Sequence, residues 1–294
     1  MNNPLLIVAP TINTEARSRV IEAVATHFAT WPSPPTFHEI GRDESITEVV
    51  SQALAGGCDG VLAAGGDGTL AAVAQALTGG TVPMGIVPVG TGNMVARELG
   101  VPLEIGGAIA LCAGAHRIRN IDAMVIAGRT FLLNAGVGVN AEAIGRTTRL
   151  GKNLLGRGAY AGTAVLEVLK SRKQRLEITV DGEAGVYDAT DVLISNCGGL
   201  ARALHPNGPE ISADDGRLDV CIVSLKAPIS YPWYYLGRHL FPRRTSRIVR
   251  TLSARARVSV RSDTPLAVQA DGDIVGFTPV TVEVRSAAVP IIVP

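Results

Sequence analysis

An excess of charge of either sign is missing: 27 Lys and Arg stand against 26 Asp and Glu, a formal net charge of +1. Such a balance leaves no bulk electrostatic footprint for nucleic acid, and no nucleic-acid partner is expected. Cysteine is scarce. Cys58, Cys112, Cys197 and Cys221 are far apart and form no C-x-x-C pair, which argues against a zinc site or a disulfide framework. Reduced thiols in a cytoplasmic protein fit best. Aromatics reach only 4%. The opening MNNPLLIVAP lacks a basic n-region, and its apolar run is too short for a signal peptide. No G-x-x-x-x-G-K-[ST] loop occurs, and no G-x-G-x-x-G opens the first helical stretch.

Glycine, by contrast, is abundant, with 33 of 294 residues. The glycines follow no G-x-y period, so collagen is excluded. They must serve turns, positive φ angles or close approaches to the main chain. With 47% hydrophobic and 18% charged residues the chain folds, and its length suits two domains. From Gly68 to Ala96 there is no charged residue. Gly79-Gly80, Pro83, Pro88 and Gly90-Thr91-Gly92 interrupt that stretch, so a buried helix, a turn and a buried strand explain it better than a membrane span.

In the first part, strands and helices alternate. Leu5–Ala9, Gly60–Ala64 and Pro83–Val89 are continuous apolar runs, as buried parallel strands are. Helices are expected at Glu15–Thr30, Glu44–Leu54, Thr69–Leu77, Asn93–Leu99 and Ile105–Ala113. This pattern predicts an open parallel α/β domain over residues 1–120. Beyond it come short β-branched or alternating runs at Asp122–Ala127, Thr130–Ala135, Leu176–Val180, Thr190–Ser195, Leu218–Val223, Ala256–Val260, Leu266–Ala270 and Val280–Val284. Gly128-Arg129 and Asp181-Gly182 read as hairpin turns. An antiparallel β-sandwich over residues 121–285 is expected, interrupted by a helix at Gly158–Lys170 and an aromatic-bearing stretch near Tyr231–Leu240. The last apolar run, Pro290–Val293 within about 286–294, is expected to return to the first domain.

Two glycine turns follow adjacent strands of the first domain. Gly65-Gly66-Asp67-Gly68-Thr69 leaves one strand and opens a helix; Gly90-Thr91-Gly92-Asn93 does the same after the next. Backbone N–H groups at a helix start suit a phosphate, and turns at the carboxyl edge of a parallel sheet form the usual ligand crevice. Asp67 would repel a phosphate but suits a metal or a hydroxyl. A strand–turn–helix corner with an Asp cap is the structural alternative. For Asp214-Asp215-Gly216 the alternative is a plain hairpin turn.

GGDGT (Gly65–Thr69) and PVGTGN (Pro88–Asn93) resemble the diacylglycerol kinase catalytic domain family, which includes bacterial soluble lipid kinases and sphingosine kinases and is distantly similar to NAD kinases. Ile121-Asp122, Phe131–Gly136, Ser195-Asn196-Cys197, Asp214–Val220 (DDGRLDV) and Gln269–Asp273 (QADGD) follow in family order. The resemblance implies an α/β nucleotide domain, a β-sandwich lipid domain, an active site in the cleft between them, and ATP-dependent phosphorylation of a lipid hydroxyl with Mg²⁺. It implies that Pro10, Thr11, Gly65, Gly66, Asp67, Gly68, Thr69, Thr91 and Asn93 hold nucleotide. Asp273 would be the catalytic base, with Asp271 and Asp122 supporting metal or acceptor. Mg²⁺ would take the Asp215 carboxylate and the Ser212 and Arg217 carbonyls. The chain departs from the pattern in its first loop, Ala9–Thr14, which has no glycine, and at Ala72, Met94 and Asp273, where the family often carries an acid, Asp and Glu.

Eight arginines and no acid lie between Leu236 and Ser262, and Glu167 is the sole acid from Arg146 to Arg175. These runs are either solvated faces or basic patches for peripheral contact with anionic headgroups at the inner membrane face. The five histidines show no metal spacing. Edge strands in the second domain would permit a homodimer. Two further readings remain open: a non-catalytic nucleotide- or lipid-binding relative, and a kinase for a soluble acceptor.

Overall fold

A computed structural model describes residues 1–138, 173–198, 211–224 and 249–294. The helix expected at 158–170, the stretch at 231–240, His205, His239, and Arg238, Arg243, Arg244 and Arg247 lie outside the described residues. The chain divides into two compact units. One comprises Met1–Ala123, Arg129–Leu132 and Ser286–Pro294; the other comprises Met124–Gly128 and Leu133–Arg285.

The first unit is a parallel α/β structure. Its strands are β1 (Pro4–Val8), β2 (Thr36–Glu39), β3 (Gly60–Gly65) and β4 (Met84–Pro88), in the spatial order β2-β1-β3-β4. All three junctions are parallel. The helices are α1 (Thr14–His27), α2 (Ile46–Ala55), α3 (Asp67–Leu77), α4 (Met94–Glu98) and α5 (Ile105–Ala113). β1, β3 and β4 are buried from end to end, which is why they read as unbroken apolar runs. Leu6, Val8, Leu62, Ala64 and Val87 meet Val20 of α1 and Ile105, Ile109 and Cys112 of α5 in one core cluster. Side chains that fully bury there contribute roughly 1.5–3 kcal/mol each. Asn13 caps α1, accepting from Ala16 N, and Ser45 caps α2, accepting from Glu48 N.

Strand β2 has no counterpart among the sequence expectations. It lies at the sheet edge and three of its four residues are exposed, so it carries no apolar pattern to read. Helix α3 starts two residues earlier than expected, at Asp67.

The second unit is antiparallel. One sheet runs β12 (Val249–Ala254), β11 (Leu218–Val223), β10 (Asp191–Ser195), β7 (Asn134–Gly138), β14 (Ala267–Ala270), β15 (Asp273–Phe277). In the other, β13 (Arg257–Ser262) pairs with β8 (Gln174–Val180), and β8 with β9 (Glu183–Ala189). The sheets touch where β11 meets β9 and β12 meets β8. Asp181-Gly182 forms the β8–β9 hairpin, with φ of 50° and 96°, the two positive angles a type I′ turn requires. The other expected hairpin is shifted by one residue: Ala127 and Gly128 carry the positive φ angles, between β5 (Arg117–Ile126) and β6 (Arg129–Phe131). The run read as one strand, Thr130–Ala135, is divided between β6 and β7.

The two final apolar runs are one strand, β16 (Val280–Val293). Its early residues pair antiparallel with β13, while Ile291 pairs parallel with Met84 of β4.

Candidate active site

Strand order β2-β1-β3-β4 places a reversal of winding between β1 and β3. Open α/β sheets bind ligands at the carboxyl ends of the strands flanking such a point. Loops leave that edge after each of the four parallel strands, and those after β1, β3 and β4 carry the residues at issue. Pro10 and Thr11 are exposed at the middle of a turn closed by Ile12 N donating to Ala9 O at 3.2 Å. Gly65 ends β3, and Gly66 is the N-cap of α3 without any side-chain cap. Thr69 N donates to Gly66 O at 2.9 Å, so the N–H groups that the start of α3 can present, with no side chain of the cap filling them, are those of Asp67 and Gly68.

The second glycine turn is pressed against the first. A Cβ built on Gly90 would lie 2.5 Å from Gly66 Cα, so only glycine fits there. Asn93, in the left-handed region with φ of 48°, clamps Gly90 twice: its Oδ1 accepts from Gly90 N at 3.0 Å, and its Nδ2 donates to Gly90 O at 2.8 Å. Asp67 Oδ1 accepts from Val95 N at 3.1 Å, so the acid of the first turn caps the helix that follows the second. Arg97 Nε donates to Gly92 O at 3.1 Å. Gly65, Gly66, Asp67, Gly68, Thr69, Thr91 and Asn93 are therefore brought together as one structure, with Pro10 and Thr11 on the neighbouring strand end. The Asp67 cap answers the puzzle of an acid in this turn, and its partner lies 28 residues downstream, beyond the reach of a local capping pattern.

Asp122 also belongs to the first unit. It is 1% exposed, and its Oδ1 accepts from Ala287 N at 2.7 Å. This bond ties β5 to the irregular middle of β16, where Ala287 has φ of 48°.

Two acidic turns lie at one end of the six-stranded sheet of the second unit. Register places Asp219 of β11 opposite Ser195 of β10, and Ser195 opposite Asn134 of β7. Asp271 N donates to Asn134 O at 3.0 Å. The two turns thus sit three strand spacings apart, roughly 14 Å. In the hairpin turn, Asp271 and Gly272 have φ of 47° and 95°. Asp271 Oδ1 accepts from Leu133 N at 3.0 Å and Asn134 N at 2.9 Å, so this carboxylate fixes the turn to β7. Asp273, the first residue of β15, is exposed.

In the other turn, Ser212 Oγ donates to Asp214 Oδ1 at 2.6 Å and Arg217 Nε donates to Asp215 Oδ2 at 2.9 Å. Asp215 Oδ1 is buried and has no hydrogen-bond partner. Burial pushes the Asp219 carboxyl up to about 6, the Asp215 charge adds to this, and Arg217 opposes it. A cation at Asp215 would satisfy the orphaned oxygen and relieve the crowding of acids. The donors here are one carboxylate and neighbouring carbonyls, and such hard oxygens suit Mg²⁺. Among the described residues no cluster of three His, Cys, Asp or Glu side chains is arranged to hold a metal.

The fold agrees with comparisons to known proteins. Residues 3–126 match the model of the diacylglycerol kinase catalytic domain, and residues 133–293 match that of the YegS C-terminal NAD kinase beta sandwich-like domain. The chain belongs to the family that joins these two domains. A protein of Pseudomonas syringae pv. syringae named "Probable lipid kinase YegS-like" is 34% identical over 177 residues, covering 60% of this chain and 57% of that protein. An uncharacterized protein of Synechocystis sp. is 30% identical over 233 residues, 76% of this chain and 52% of that protein. The chain therefore spans somewhat over half the length of these curated relatives. A solved diacylglycerol kinase structure from Bacillus anthracis str. Sterne has a TM-score of 0.78 at 22% identity, over 100% of this chain and 97% of that one, a likeness of fold. No helix among the described residues is long and apolar enough to cross a membrane.

Proposed function

We propose that this protein is an ATP- and Mg²⁺-dependent kinase that phosphorylates a lipid hydroxyl, of diacylglycerol or sphingoid type. The observation that carries the reading is the locked pair of glycine turns at the carboxyl ends of β3 and β4, with the start of α3, which has no side-chain cap, between them. The name of the 34% identical Pseudomonas relative supports a lipid acceptor.

Phosphates would accept hydrogen bonds from the N–H groups of Asp67 and Gly68 and from the Thr69 hydroxyl. The acceptor hydroxyl oxygen attacks the γ-phosphorus, and the bond from phosphorus to the β–γ bridging oxygen breaks, leaving ADP. The hydroxyl proton passes to the Asp273 carboxylate as the new bond forms. Asp215, with the Ser212 and Arg217 carbonyls, would hold Mg²⁺, which when bound neutralises the acidic loop and orders it. Exposed Arg250, Arg255, Arg257 and Arg261 suit peripheral contact with an anionic bilayer at its cytoplasmic face.

The test is transfer of label from γ-labelled ATP to vesicles carrying diacylglycerol or sphingosine, with NAD and a sugar as soluble acceptors in parallel. Label is expected in the organic phase, and Asp273→Ala is expected to reduce it by roughly 100-fold or more. Label in the aqueous acceptor alone would overturn the lipid assignment. No transfer to any acceptor, with ATP bound, would overturn the kinase.

A further inference from the structure

The second unit contains two Asp-Gly type I′ turns built on the same plan, and their difference is informative. At Asp181-Gly182, the aspartate carboxylate accepts from Arg255 N at 2.7 Å and from Ala256 N and Arg257 N at 2.8 Å. At Asp271-Gly272, the carboxylate likewise accepts from two backbone N–H groups of a neighbouring strand. Position for position, the residue two before the aspartate is Thr179 in one turn and Gln269 in the other.

Gln269 is 2% exposed. Its Oε1 accepts from Gly272 N at 3.1 Å, and its Nε2 donates to Asn134 Oδ1 at 3.2 Å. Room for it is made on β7: a Cβ on Gly136 would lie 2.9 Å from Gln269 Nε2. The register of β14 against β15 also shifts between Val268 and Gln269, leaving Val275 of β15 as the extra residue. The Asp181 turn forms without a glutamine, so hairpin formation alone does not call for one. What the glutamine adds is a fixed orientation for the Asp271–Gly272 peptide, the plane one residue before Asp273.

We infer that Gln269 is a positioning residue, holding the Asp271–Gly272 peptide, and through it Asp273, in the attitude that accepts the hydroxyl proton. The inference rests on the reading of Asp273 as the base. Gln269 lies inside the sheet and touches no substrate; it acts by restricting one backbone segment. A misplacement of about 1 Å at a reacting group can slow a reaction by roughly 100-fold.

The test uses the whole chain with Gln269→Met, which keeps length and removes both hydrogen bonds, and with Gln269→Glu. Steady-state phosphoryl transfer, thermal unfolding and NMR hydrogen exchange of backbone amides are measured on each. For Gln269→Met, kcat should fall roughly 10- to 100-fold with the KM for ATP within about twofold. The Gly272 amide should exchange faster, while the Arg255, Ala256 and Arg257 amides of the other turn are unchanged. Gln269→Glu keeps an acceptor for Gly272 N in either protonation state and loses only the donation to Asn134 Oδ1 when ionised, so its turnover should lie closer to the parent than that of Gln269→Met. Unchanged kcat in Gln269→Met, or unchanged exchange at Gly272, overturns the inference. So does a glutamate variant as slow as methionine. Wild-type turnover in Asp273→Asn would sink the base assignment instead, and the Gly272 exchange would still report whether Gln269 holds the turn.

Discussion

Substituting Gly68 by Ala separates the two roles that the first glycine turn could have. Gly68 is the second residue of α3, it is exposed, and a Cβ built on it meets nothing within 4 Å. Its φ is not among the positive ones, so alanine fits without strain. Glycine in a helix interior costs about 0.8–1.0 kcal/mol relative to alanine. At the second position of the helix roughly half of that applies, so the variant should gain about 0.5 kcal/mol and about 1–2 °C in melting temperature. Binding should move the other way. If a phosphate approaches the N–H groups of this turn, the methyl group intrudes on its path. Losing one charge-assisted hydrogen bond is worth about 1.5–3 kcal/mol, a weakening of roughly 10- to 100-fold in the Kd for ATP. Calorimetric titration with ATP alongside a thermal melt reads both quantities in one preparation. A variant that melts higher and binds ATP within twofold of the parent would refute the phosphate cradle.

Gly90→Ala should do the opposite, since its Cβ would lie 2.5 Å from Gly66 Cα; the overpacking should cost about 1–3 kcal/mol, read as a melting temperature lower by about 3–10 °C. With Mg²⁺ at Asp215, the parent should melt higher when Mg²⁺ is added and Asp215→Asn should not, because a ligand bound only to the folded state stabilises it by mass action. Asp181 gives a pH dependence. Burial pushes its carboxyl up, but the N–H bonds from Arg255, Arg257 and Ala256 and the Arg255 charge outweigh this and hold it below the usual range. A depressed acid stabilises the fold above its unfolded value, about 3.9, and the contribution fades as pH falls through the lower folded value. The melting difference between the parent and Asp181→Ala should thus be constant from pH 5 to 8 and shrink below about pH 4. Charge reversal at Arg255, Arg257 and Arg261 should weaken binding to anionic vesicles at low salt; unchanged binding would remove these residues from any membrane contact.

Buried elements were legible in the sequence, and edge elements were not. β1, β3 and β4 are covered on both faces, so every residue is apolar and the run stands out. β2, β9, β12 and β15 are half exposed; Val186, Ile274 and Phe277 point apolar surface to solvent, and the alternation that should mark a strand is blurred. Turns were legible where the chemistry is local. Asp181-Gly182 needs two positive φ angles and its residues supply them, whereas Ala127 takes one without any compositional signal. The candidate site follows the same division. The glycine turns and the acids are short motifs and could be read directly. The bonds that set their geometry join Asp67 to Val95, Asp122 to Ala287 and Asp271 to Asn134, pairs whose separation in sequence no local pattern encodes. The oxygen of Asp215 left without a partner could be seen only once burial was known.

Strand β16 gives the first unit a debt to the end of the chain. Its Ile291 is the neighbour of Met84, and Ser286–Pro294 is the only part of the first unit that follows Leu132. During synthesis, β4 would wait for its last partner until the whole second unit and β16 had been made, with one row of backbone groups open to other chains. The N-terminal unit is in this sense not an early-folding module but one completed only after the second unit has been made. Dissecting the protein at the domain boundary should therefore yield a sticky half-sheet, unless the C-terminal segment is spliced back beside β4.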